Sequence, residues 1–154
     1  MTSLDARYRN PVRMTVGLLA AAYAGAFVIA VLLHVDVDIP LGFAALDEPR
    51  RPFAVIVEGL AGALLALGAF AVFSRRTWAW AFVTWAHAAA LAGVVWGMVA
   101  IAAGRGPHTQ LNDTFHRVMV VLLGASLILL LTPLGRTSLG RGRRSSRAVN
   151  SHKA

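Results

Sequence analysis

The chain of 154 residues contains no cysteine. That excludes disulfides, thiolate metal sites, iron–sulfur clusters and thiol redox chemistry, and with them a cysteine-based quinone reductase. Charge is scarce as well: Asp, Glu, Lys and Arg make up 14%, where a soluble domain carries about 25%. The sequence has no phosphate-binding glycine loop, no G-x-S-x-G, no H-E-x-x-H and no run of gating arginines. Gly104-Arg105-Gly106-Pro107 is a loop breaker with one arginine, not a phosphate cradle.

What fills the chain instead is apolar: 57% hydrophobic residues, with a mean hydropathy of +0.63. Four apolar runs stand out, and they predict helices at about 14–33, 53–73, 78–103 and 116–134. Each approaches the ~20 residues that cross ~30 Å of hydrocarbon at 1.5 Å per residue. The first follows a basic segment but exceeds the 7–15 residues of a signal-peptide core. No small-x-small cleavage site follows Leu33, so the run reads as a retained span. The predicted fold is an all-α membrane protein, an antiparallel bundle of four transmembrane helices over residues 1–135. Residues 136–154, rich in Arg, Ser and Gly, are expected to be a basic disordered tail, since they cannot bury a core.

The formal net charge is +8, and Lys153 is the only lysine. Arginine in place of lysine, with abundant Ala, Val and Gly, is the codon signature of a high-GC bacterial genome, and hence of a multi-pass protein of the bacterial inner membrane. The N-terminal segment, the Arg75-Arg76 turn and the C-terminal tail hold eleven Lys and Arg, against four in the other two connections. The positive-inside rule then places both termini in the cytoplasm. Because the arginines flank apolar runs, the expected partner is the lipid bilayer, with anionic lipid at the tail, and not nucleic acid. Trp78 and Trp80 are expected as an aromatic anchor at the inner headgroups. The connection from His34 to Pro52, with the alternation Val35-Asp36-Val37-Asp38, is expected to form a short ribbon or a cap. Small residues at Ala20 and Ala24, Gly59 and Gly62, and Gly93 and Gly97 read as close helix packing. Small-residue faces left exposed would permit a homodimer or docking onto a larger membrane complex.

Glu58 lies ~7–8 Å below the outer boundary of the second span, at helical rise. An ionisable group at that depth costs a few kcal/mol and normally faces a partner inside the bundle. His116 and Arg117, at the start of the fourth helix, or His34, at the end of the first, lie at the same depth. His87 sits ~13–14 Å into the third span, near the midplane, with Trp80, Thr84 and Leu91 on its face. It is either a packing residue or part of a ligand or proton site. Topology brings His34, Asp36, Asp38, His108, Asp113 and His116 to the outer side. Imidazole with carboxylate suits a divalent metal, and His34, Asp113 and His116 are the candidate ligands. No other cofactor is expected: haem would need a second histidine opposite His87, and none is placed there. Asn112-Asp113-Thr114 is expected to cap the fourth helix.

The run Leu111-Asn112-Asp113-Thr114-Phe115-His116-Arg117, leading into a span with Gly124, resembles the last-helix entry of small uncharacterised four-span actinobacterial membrane proteins. That likeness covers about a tenth of the chain and implies the four-span architecture, with no activity. Three functions follow from the residues. The first is a small transporter or accessory subunit whose Glu/His site opens to the outer face in a polar cavity reaching towards His87. The second is a membrane enzyme or metalloprotein using Glu58 and outer-face histidines on a lipid-soluble substrate. The third is a purely structural partner.

Overall fold

The computed structural model describes residues 10–35, 37, 39–40, 45–46, 50–106 and 109–140. Asp36, Asp38, Asp47, Glu48, His108 and the tail beyond residue 140 lie outside the described residues. Four long helices carry the fold: α1 (Pro11–His34), α2 (Pro52–Phe73), α3 (Ala79–Ala102) and α4 (Gln110–Leu131). All four are long and apolar enough to cross a membrane. A two-residue antiparallel ladder pairs β1 (Ile39–Pro40) with β2 (Ala45–Leu46) in the connection after α1.

Contacts between opposite helix ends make the bundle antiparallel. The start of α1 meets the end of α2 where Arg13 bonds the Val72 carbonyl. The end of α1 meets the start of α2 at His34 and Glu58. Trp80, early in α3, donates Nε1–H to the Leu130 carbonyl late in α4, at 2.9 Å. One end of the bundle therefore gathers residue 10, the 74–78 turn and the 132–140 segment; we call it the terminal end. The other gathers Val35, Arg51, Ala103 and Thr109, next to the helix ends there; we call it the loop end.

The helix boundaries follow from local chemistry. Asn10 caps α1 by accepting the Arg13 amide at 3.2 Å, and Pro11 occupies the first turn, where a missing N–H costs nothing. α2 and α3 both close with carbonyls bonded from beyond the helix. Arg76 N–H reaches Ala71 O and Arg75 N–H reaches Val72 O; likewise Arg105 N–H reaches Ala100 O and Gly104 N–H reaches Ile101 O. Such a closure needs one residue with positive φ. Gly104 supplies it at 71°, but in the 74–78 turn the position falls to Arg75, at 53°.

Two expectations change here. The cap of α4 is Thr109, whose hydroxyl accepts the Asn112 amide at 3.1 Å. Asn112, Asp113 and Thr114 are therefore inside the helix, which starts about a turn earlier than its apolar run. The far end also differs. α4 stops at Leu131, and Thr132 caps a further helix, α5 (Pro133–Leu139), by accepting the Gly135 amide at 3.2 Å. The tail expected to be disordered from Arg136 thus begins with an ordered turn, because Thr132-Pro133 is itself a helix start and Leu139 is fully buried.

Packing is close wherever glycine or alanine faces a neighbour. A Cβ on Gly62 would meet Phe27 Cβ at 3.2 Å, and one on Gly68 would meet Val83 Cγ2 at 3.3 Å. Ala20 and Ala24 are buried in the same seams. The core has two parts. One, at mid-bundle, centres on Tyr23, Phe27, Leu65, Ala86 and Leu123; the other lies at the terminal end around Val16, Val72, Val83, Leu130 and Leu139.

The terminal end is also tied by polar contacts. The Arg13 guanidinium donates to Val72 O, Ser138 O and Leu139 O at 3.1–3.3 Å. Arg136 lies 5.1 Å from the centre of the Trp80 ring. Trp80 is therefore half-buried and bonded inward, whereas Trp78 is exposed, as a residue at a headgroup interface would be.

Candidate functional site

At the loop end the four helices part around a cavity of ≈ 130 Å³. Its polar wall is built by three helices. His34 comes from the last residue of α1, Glu58 from the second turn of α2, and Asn112 and His116 from the first two turns of α4. The rest of the wall is apolar or glycine, with Phe27, Ala61, Ala90, Gly93 and Gly97 among its residues. Phe27 and Phe115 meet edge to face there, 5.8 Å between centroids. The rim is made by Arg51, Phe53, Trp96 and Arg105, all exposed. Phe53 is 65% and Trp96 59% exposed, on α2 and α3. The mouth therefore sits at the α2–α3 seam, on a side that a bilayer would cover, with arginine at its edge.

Glu58 is only 7% exposed. It pairs with His34, whose Nδ1 lies 3.1 Å from Glu58 Oε2. The same Nδ1 lies 2.9 Å from the Ala30 carbonyl. A ring nitrogen carries one proton, and a carbonyl can only accept, so this N–H is directed at Ala30. Glu58 Oε2 gains the proximity of the imidazole but no hydrogen bond among the described residues. A buried carboxylate oxygen in that condition costs free energy until a donor reaches it.

The three described histidines share one device. His34, His87 and His116 each place Nδ1 at 2.8–2.9 Å from the carbonyl four residues earlier: Ala30, Val83 and Asn112. Each neutral ring is thereby held as the Nδ1–H tautomer, with Nε2 as its acceptor. For His116, Nε2 points at Gly97, where an added Cβ would land on the ring. Glycine at position 97 makes room for the imidazole edge. His116 is 8% exposed and lines the cavity. The only hydrogen bond it makes among the described residues is the one to Asn112.

The remaining candidates lie elsewhere. His87 is fully buried, with its ring edge-on to Tyr23 at 5.8 Å. Its Nε2 has no partner among the described residues. The cavity stops at Ala90, about one turn short of it. Arg117 is exposed, Asp113 half-buried, and neither lines the cavity. Among the described residues no three His, Asp or Glu side chains stand together as metal ligands. Of the residues singled out from sequence, the structure thus brings Glu58, His34 and His116 together and leaves His87, Arg117 and Asp113 apart. The aromatic rim and the fit of Gly97 to His116 were not legible in advance. Gly93 and Gly97 were among the small residues read as close packing, and they face Val57 and the His116 imidazole respectively.

Comparison with protein families, with curated proteins and with solved structures finds no match to this chain.

Proposed function

We propose that this is a multi-pass membrane protein that binds a small lipid-soluble molecule in the loop-end cavity, acting as a carrier or as the binding subunit of a larger membrane complex. The observation that carries this reading is an apolar, aromatic-rimmed cavity with buried acceptors on its wall, Glu58 Oε2 without a donor among them. Cavities of this kind, mostly apolar with a few convergent polar groups, are where small ligands bind. The mouth between Phe53 and Trp96 favours entry from the bilayer over entry of a hydrated ion. The proposed setting is a bacterial inner membrane with both termini in the cytoplasm, supported by the eleven-to-four asymmetry of Lys and Arg. The loop end would then face outward. A divalent metal on His34 and His116 remains a second use of the same wall. Imidazoles with Nδ1 bonded to a backbone carbonyl are oriented as metal-binding histidines are.

Titration of the purified protein in mild detergent with 4-bromoanisole and 4-bromophenol tests the binding reading. Bromine quenches tryptophan, Trp96 stands at the mouth, and a Trp96→Phe variant supplies the blank for the other three tryptophans. Saturable quenching by either compound, abolished in Ala90→Phe or Ala100→Trp, is the expected outcome. Quenching that only follows partition into micelles, unchanged by both variants, would refute it.

A further inference from the structure

Resting on that reading, the polarity of the wall narrows the ligand. Every hydrogen-bonding atom that the geometry leaves available on Glu58 and His116 is an acceptor. Glu58 Oε2 is buried and unpartnered among the described residues. His116 has spent its one ring proton on the Asn112 carbonyl at 2.8 Å, so Nε2, which packs against Gly97 where both residues line the cavity, accepts. A ligand that only accepts, such as a ketone, a quinone or an ether, would leave both groups unsatisfied. Buried polar groups left in that state select strongly against it.

The size of the site narrows the ligand further. A dry protein cavity of about 150 Å³ accommodates benzene, and this one measures ≈ 130 Å³. Its wall holds an aromatic pair, Phe27 and Phe115, and its rim adds Phe53 and Trp96. One six-membered ring fits this space, with room for a chain only through the α2–α3 mouth. A cationic amine would also donate, but it would have to pass Arg51 and Arg105, the charged side chains of the rim among the described residues. Opposed like charges there disfavour it.

We infer that the cavity takes the hydroxylated ring of a phenolic lipid-soluble molecule, of phenol or quinol type, whose hydroxyl donates to the Glu58 carboxylate or to His116 Nε2 while any alkyl chain leaves between Phe53 and Trp96. The inference concerns binding alone and requires no electron or proton transfer.

The two brominated compounds separate this inference from the reading it rests on, because 4-bromoanisole keeps the ring and bromine of 4-bromophenol and lacks the donor. After correction for partition into empty micelles, 4-bromophenol is expected to bind at least about tenfold more tightly, the worth of a hydrogen bond to a charged or buried acceptor. The preference should fall below about threefold in Glu58→Gln or in His116→Phe, with folding checked by a monodisperse elution profile. The comparison of ligands on the unmodified chain needs no variant to fold. Equal binding of both compounds, still blocked by Ala90→Phe, overturns the phenolic assignment and leaves the lipid-soluble reading standing. Saturable binding of neither compound overturns both. A phenol preference that survives in both variants places the acceptor elsewhere and refutes the assignment. Tighter binding of 4-bromobenzylammonium than of 4-bromophenol also refutes it, in favour of a cation site.

Discussion

Replacing Gly97 by alanine adds one methyl group where the His116 ring leaves no room for it. The new Cβ would overlap Nε2 of His116 and lie 3.0 Å from its Cδ2. The ring cannot swing away freely, because its Nδ1 is bonded to the Asn112 carbonyl on its own helix. Either α3 and α4 separate locally or the imidazole leaves its position and gives up that bond. Overpacking of this kind costs roughly 1–3 kcal/mol, and losing the imidazole bond adds about 1 kcal/mol. Gly25→Ala and Gly124→Ala provide the control, since a Cβ at either site meets nothing within 4 Å. At those sites the better helix propensity of alanine should leave stability unchanged or raise it by up to about 1 kcal/mol. The assay is thermal unfolding in one detergent, with the order Gly97→Ala below wild type and the two controls at or above it. The overlap argument is tested further by a double-mutant cycle. His116→Ala removes the ring that obstructs the methyl, so Gly97→Ala should cost little in that background, with a coupling of at least about 1 kcal/mol. A Gly97→Ala protein as stable as the controls, or a cycle that is additive within error, would refute the reasoning.

Arg13→Met removes the donor to Val72, Ser138 and Leu139 carbonyls. It should cost about 1–3 kcal/mol and raise amide exchange in 133–139 before the rest of the bundle; uniform exchange would count against a local lock. Tyr23→Phe deletes the hydroxyl 2.9 Å from Ser126 Oγ and should lower stability by about 1–2 kcal/mol, while Tyr23→Phe with Ser126→Ala should recover part of it in the same melting assay. His87→Leu removes Nε2, a fully buried nitrogen with no partner among the described residues. We expect stability equal to or above wild type and 4-bromophenol binding unchanged, because the cavity does not reach that residue; a loss of binding with intact folding would place His87 in the site. Arg75→Gly relieves a positive φ of 53° and should raise stability by about 0.5–1 kcal/mol, read as a shift in the unfolding midpoint.

The bundle was legible because each span carries its own evidence: a run near 20 residues with hardly a charge needs no knowledge of the others. Depth was legible for the same reason, which is why Glu58, His34 and His116 could be set at one level from helical rise alone. Azimuth was not. Whether Arg117 or His116 faces inward depends on the rotation of α4 about its axis, and adjacent residues point about 100° apart on a helix. In an apolar run, where both faces are hydrophobic, no periodicity reports that rotation. Arg117 proves exposed and His116 buried. The start of α4 was misplaced because Asn112 and Asp113 are good caps in isolation. The caps compete, and Thr109 wins by adding a first turn that carries Asn112 to the cavity wall. α5 was missed through composition: an arginine- and serine-rich tail hid the Thr132-Pro133 start signal and the single buried Leu139.

The two ends of the molecule satisfy their polar groups in opposite ways, and this contrast bears on where a ligand belongs. At the terminal end carbonyls are acceptors, and Arg13 and Trp80 bring side-chain donors to Val72, Ser138, Leu139 and Leu130. At the loop end Glu58 Oε2 and His116 Nε2 are acceptors too, and Asn112 is a neutral side chain of that wall that carries N–H donors, while Arg51 and Arg105, the arginines beside them among the described residues, are exposed at the rim rather than folded in. Evolved bundles tolerate an unsatisfied buried acceptor rarely, and each instance calls for an explanation. An apolar residue at position 58 with larger side chains around it would remove the cost, since Ala54, Ala61 and Ala90 already line the cavity and larger residues there would close it. A chain that keeps small residues around a buried carboxylate, and keeps the arginines Arg51 and Arg105 outside, leaves space and hydrogen-bonding capacity for a molecule it does not itself contain. Cavity-filling at Ala90 should accordingly separate the two properties. The melting temperature of unliganded Ala90→Leu should hold or rise, as a void is filled, while ligand binding disappears. If Ala90→Leu instead lowers stability and leaves binding intact, the space is needed for packing and the site lies elsewhere.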